Sequence, residues 1–127
     1  KADTILKYQN FNVENKVYEN LKKINELTPK FIKYFKEKKF YQASKIIDQS
    51  WILKRRLSSN VSNKKIDKFY KFIKDNGYTG GKLLGAGKSG FFLVYGNNHK
   101  LLNDYKSFSL EIDHNGSEII NFNDIKK

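Results

Sequence analysis

The 127-residue chain has no cysteine, no methionine, one proline, one tryptophan and two histidines. Without cysteine there is neither a disulfide framework nor a thiolate metal site, which fits a reducing cytoplasm, the expected location. Without methionine, Lys1 is not a translation start, so the chain is expected to be a piece of something longer. No apolar run approaches the ~18 residues of a membrane span, and no signal-peptide pattern opens the sequence, so no membrane partner is expected. Arginine is scarce too: only Arg55 and Arg56 stand among 25 basic residues.

What is present is one domain's worth of core. Apolar residues make up 39% and aromatics 15% of the chain, too many for a disordered tail. The net charge of +12 comes from lysines scattered through every segment, the composition of a solvated surface. The adjacent arginines, just after Lys54, carry more information, because a guanidinium recognises phosphate or carboxylate in two-point fashion.

Helical spacing dominates the first half. Val13, Val17, Leu21, Ile24 and Thr28 recur at three and four residues, and Thr28-Pro29 predicts a kink or a restart before the helix ends near Lys38. A second helix is expected from Phe40 to Leu57, with Phe40, Ala43, Ile47 and Trp51 on one stripe and Ile46, Leu53 and Leu57 beside it. Ser62 or Asn63 caps a third, whose buried face is Ile66, Phe69, Tyr70 and Ile73 and whose end is Asn76-Gly77. Then the pattern changes. Lys82–Leu84 and Phe91–Tyr95 read as short strands, and a connection over 97–104 holds a short helix. Phe108, Leu110 and Ile112 alternate as in a half-buried strand, and Asn115-Gly116 signals a hairpin that returns over Ser117 to Phe122. The expected class is α+β, with helices packed on one face of a roughly four-stranded antiparallel sheet.

Between the first two strands lies Gly85-Ala86-Gly87-Lys88-Ser89-Gly90. Glycines at this density let another molecule approach the main chain and let peptide N–H groups converge on an anion. A nucleotide P-loop needs G-x-x-x-x-G-K-[ST] followed by a helix, but the position of its first glycine is Lys82, and Phe91–Tyr95 reads as a strand. That form is excluded. His99 and His114 have no ligand-spaced partners, and the thirteen acidic residues mark no general base. Trp51 to Arg56 sets an aromatic and three cations at a helix end. They either complement the helix C-terminus or bind phosphate.

Several separated motifs then agree. Trp51-x-Leu53-Lys54-Arg55-x-Leu57-Ser58, Val61-Ser62-Asn63, Ile66-Asp67-x-x-Tyr70, and Gly77-x-x-Gly80-Gly81-Lys82-Leu83-Leu84-Gly85-Ala86-Gly87 with Gly90-Phe91 strongly resemble the C-terminal part of GHMP-superfamily sugar kinases. Within it they are most similar to D-glycero-D-manno-heptose 7-phosphate kinases, which read W-x-L-K-R-x-L-S and G-G-K-L-x-G-A-G-G-G-G-F. Phe108 to Glu111 and Gly116 to Ile120 are similar to that family's last hairpin.

The resemblance implies that residues 1–127 form the ferredoxin-like C-terminal domain of an ATP-dependent kinase acting on a phosphorylated sugar. It implies ATP and Mg2+ as cofactors of the complete enzyme and an N-terminal domain, absent here, that carries the nucleotide loop and the catalytic acid. This chain alone would then bind no nucleotide and be inactive. Gly85, Ala86, Gly87, Lys88, Ser89 and Gly90 would face the phosphates across the cleft. Lys54 and Arg55 match the family's K-R and are candidates for the sugar phosphate, and Lys82 for ordering the loop or touching substrate; Arg56 falls on a variable position. Lys88 and Ser89 stand where the family has two glycines. The expected reaction is transfer of phosphate to C1 of a heptose 7-phosphate. Its rivals are a related kinase for another sugar and a basic module for nucleic acid, which rests on the charge alone.

Overall fold

In the computed structural model, residues 2–85, 87–96 and 102–117 are described, with side chains of the first helix from residue 13 onward. Three helices precede a two-stranded sheet: α1 (Ala2–Lys36), α2 (Phe40–Arg55), α3 (Lys64–Asp75), β1 (Gly80–Leu83) and β2 (Phe92–Tyr95).

Pro29 lies inside α1 and does not end it. Proline removes the bond to the carbonyl four residues earlier. Asn25 and Pro29 are both exposed, on the side where water can take up that carbonyl. The face turned inward is only in part the expected one. Val17, Asn20, Ile24, Leu27, Phe31 and Tyr34 are half-buried, whereas Val13 and Leu21 are 60% and 49% exposed. α2 has 16 residues against 35 in α1, so it can cover only part of the longer helix.

α1 ends at Lys36 with Lys39 N–H donating to the Tyr34 carbonyl at 2.9 Å and Lys38 N–H to Phe35 at 3.1 Å. This reversal needs a left-handed residue, and Lys38 supplies it at φ 56° where glycine is usual. α3 closes with the same bond pair, Tyr78 to Ile73 and Gly77 to Lys74, around Gly77 at φ 82°. Its start is the expected cap: Asn63 Oδ1 accepts from Ile66 N–H at 3.0 Å.

β1 and β2 are antiparallel, pairing Gly80 with Tyr95, Gly81 with Val94, Lys82 with Leu93 and Leu83 with Phe92. Leu84 N–H to the Phe91 carbonyl, 2.9 Å, extends the ladder by one step. The glycine-rich loop is therefore the tip of a hairpin, not the strand-to-helix turn of a nucleotide P-loop. Trp51, Val61 and Leu83 form the core, with Ile66, Tyr70 and Phe92 packed against them. Trp51 meets Phe92 edge to face at 5.6 Å.

One expected strand has no partner among the described residues, and the other lies almost wholly outside them. Residues 106–113 pair with no strand among the described residues, although Phe108, Leu110 and Ile112 alternate. All three are exposed, so no buried face fixes a register. Gly116 has the positive φ of a turn, 73°, but the return from Glu118 to Phe122 lies outside the described residues, as does the connection over 97–101 with His99.

Among the described residues the most constrained carboxylate is Asp48, buried on α2. Its Oδ1 accepts from Gly81 N–H at 3.2 Å and Tyr70 hydroxyl at 3.0 Å, and its Oδ2 from Lys74 Nζ at 3.0 Å. A side chain on Gly80 would collide with this carboxylate. Replacing Asp48 by alanine leaves three donors without their acceptor, and the expected loss is about 3 kcal/mol. Urea unfolding of the variant measures it. Lys74→Met, which removes one half-exposed partner, is expected to cost about 1 kcal/mol in the same assay.

Candidate functional site

The loop tip is held from two sides. The last turn of α2 reaches its entry: Lys54 Nζ donates to the Gly85 carbonyl at 2.6 Å. The connector between α2 and α3 holds its far half. Lys88 N–H donates to the Val61 carbonyl at 3.1 Å, Asn63 Nδ2 to the Lys88 carbonyl at 2.8 Å, and Lys88 Nζ to Asn60 Oδ1 at 2.7 Å. A Cβ on Gly87 would stand 2.9 Å from the Asn60 carbonyl oxygen and from Val61 Cα, so only glycine lets the backbones lie this close. Lys88 itself has φ 58°, a left-handed conformation that costs a lysine about 1 kcal/mol.

The candidate cations differ in their surroundings. Arg55 pairs with Asp67 at 2.8 Å, and its guanidinium lies 5.5 Å from the centre of the Tyr70 ring. Ser62 Oγ also donates to the Asp67 carboxylate at 2.7 Å. Lys54 and Lys82 have no carboxylate partner among the described residues. Lys82 Nζ donates to Ser50 Oγ on α2, 3.1 Å away. Burial and the neighbouring Lys54 ammonium hold the Lys82 amine below the ordinary lysine range. Two cations side by side without a neutralising acid form a place that favours an anion.

The structure thus brings together Lys54, Gly85, Gly87, Lys88, Ser89 and Gly90 around one loop, with Lys82 beside Lys54. It sets Arg55 against Asp67 on α3. Ala86 lies outside the described residues, and Arg56 is exposed at the end of α2. Ser89 is exposed, and its N–H turns back to the Gly87 carbonyl at 2.7 Å. Ser50, Asn60 and Asp48 were not legible as site residues. Asp48 does share a helical stripe with Ser44 and Trp51, the pattern of a polar group facing a core. Among the described residues no three acids or histidines gather to hold a metal ion. Two surface grooves are lined by other residues, one from Tyr41 to Gly96 at the opposite end of the hairpin and one between α1 and α2.

No family model matches the chain, and no solved structure matches it. Over 72 residues, 57% of its length, it is 35% identical to a protein of Campylobacter jejuni named D-glycero-alpha-D-manno-heptose 7-phosphate kinase. The chain spans about a fifth of that relative, the match covering 21% of it. The likeness is distant and partial, and it is to a sugar-phosphate kinase by name. No described helix is long and apolar enough to cross a membrane.

Tyr70 ties the site to the hub beneath it. Burial first, then the Asp48 charge and hydrogen bond, push its phenol from 10.0 up to about 12, against a smaller opposite effect of Arg55. A phenol whose pKa is raised by folding contributes its full stability below the unfolded value of 10.0 and loses it as pH rises through about 12. The difference in phenolate absorbance between the chain and its Tyr70→Phe variant is expected to titrate near that upper value. In an Asp48→Asn background the same difference moves down toward the ordinary tyrosine range.

Proposed function

We propose that this chain is the C-terminal, acceptor-binding part of an ATP-dependent sugar-phosphate kinase, acting on D-glycero-D-manno-heptose 7-phosphate at C1. The observation that carries the reading is the pair of unneutralised ammonium groups, Lys54 and Lys82, beside a glycine loop at a hairpin tip. The partial likeness to a kinase of that name supports it. A ferredoxin-like fold of the whole domain, an N-terminal domain of the same protein as partner, and a cytoplasmic location belong to the same proposal.

Phosphoryl transfer asks a protein mainly for positioning and for charge stabilisation. ATP would supply the phosphoryl group and Mg2+ would offset its charge, both held by another part of the longer protein. This chain's share is the acceptor. Lys54 and Lys82 attract the phosphate the sugar already carries, and the Ser89 hydroxyl and the loop backbone fix where its oxygens lie. Arg55, held by Asp67, keeps the end of α2 in place and adds positive potential.

The test uses the longer protein with ATP, Mg2+ and the heptose phosphate, followed by ADP release. Lys82→Met is expected to raise KM for the sugar phosphate about tenfold and leave KM for ATP within about twofold. Arg55→Ala raises the same KM by a smaller factor. Equal effects on both substrates, or no phosphorylation of any sugar phosphate, remove the reading.

A further inference from the structure

Lys88 is exposed on the loop, and as a cation it would be expected to reach for the anion itself. Its geometry says otherwise. All three of its polar backbone and side-chain groups are engaged with the connector: N–H with Val61, carbonyl with Asn63 Nδ2, and Nζ with Asn60 Oδ1. Asn63 spends its other amide atom on the first turn of α3, so the loop is stitched to a helix N-terminus through one side chain. These bonds hold a left-handed lysine at φ 58°, a conformation that glycine adopts freely. A residue that accepts backbone strain to point its charge at a neutral amide is placed for restraint rather than for charge.

We propose that Lys88 is a positioning residue: through Asn60, Val61 and Asn63 it locks the Gly87–Gly90 half of the loop in its anion-receiving shape before any ligand arrives, and it makes no contact with the bound phosphate. The proposal rests on the anion-binding reading of the loop. The lock sets Gly87 hard against the connector, and the exposed Ser89 is the loop's other polar side chain. A loop fixed in advance loses less freedom on binding, so restraint there strengthens affinity without a new contact.

Amide hydrogen exchange by NMR on the full 127-residue chain, with and without pyrophosphate, tests it. Asn60→Ala removes the side-chain acceptor and keeps the Lys88 charge. It is expected to speed exchange of the Lys88 amide about fivefold, while the Thr79 amide, bonded to Tyr95 at the other end of the hairpin, stays unchanged. Pyrophosphate affinity falls by a similar factor. Lys88→Asn, which tolerates a left-handed backbone but cannot reach Asn60, gives the same loosening. If Lys88 were a ligand, Asn60→Ala would free its ammonium, and affinity would rise or hold with loop exchange unaltered; that outcome overturns the proposal. If pyrophosphate does not perturb the loop of the unsubstituted chain, the anion-binding reading fails. The exchange rates then still decide whether Lys88 is the lock.

Discussion

The contact between Asp48 and the backbone of β1 is the constraint on which the arrangement rests. A carboxylate buried on a helix must be satisfied, and here its acceptor capacity joins three elements: Gly81 N–H on β1, the Tyr70 hydroxyl and the Lys74 ammonium on α3. Glycine at position 80 is the steric counterpart, since any side chain there would displace the carboxylate. The Gly80-Gly81 pair thus serves helix–strand contact and not ligand approach. β1 is docked at one register on α2, and everything that follows along the strand inherits that position.

Lys82 follows two residues after Gly80, and the glycine loop three residues after that. With β1 fixed, Lys82 meets Ser50 one helical turn from Lys54, and Lys54 in turn meets Gly85 at the loop's entry. The far half of the loop is held independently by the α2–α3 connector. Two anchors from different elements give the hairpin tip a shape that its own sequence, rich in glycine, would not maintain. Trp51 packed on Phe92 between them keeps the strands against α2.

The helices were legible because capping and termination are local. Asn63 and Asn76-Gly77 announce the ends of α3, and a break before Phe40 separates α1 from α2. The hairpin was legible from two apolar runs bounded by glycine. What failed needed tertiary knowledge. Which residues of α1 turn inward depends on where α2 lies, so Val13 and Leu21 stay exposed although they share the expected stripe with the half-buried Val17 and Ile24. Pro29 reads as a break, yet a proline on the wet side of a helix leaves only one carbonyl to water. The alternation at Phe108, Leu110 and Ile112 has no partner strand among the described residues to make it a strand. Around the loop the residue types were legible and their roles were not. Lys54, Arg55 and Lys88 look alike as cations, and only their partners separate them: a loop carbonyl, a carboxylate and an asparagine amide.

That separation reorders the meaning of the charge. A net +12 spread over the surface gives a diffuse attraction that salt screens. Lys54 and Lys82 are different because the Lys82 amine is partly buried and, beyond that, repelled by the neighbouring Lys54 ammonium. Held together by Ser50 and Gly85, the two ammonium groups are less stable unliganded than they would be with an anion between them. An anion placed there would relieve that repulsion and raise the affinity of Lys82 for its own proton, so ligand charge and lysine charge would reinforce one another. A neutral sugar would gain nothing from this arrangement. The local attraction for an anion therefore follows from where two lysines are placed, and it needs no contribution from the other twenty-one.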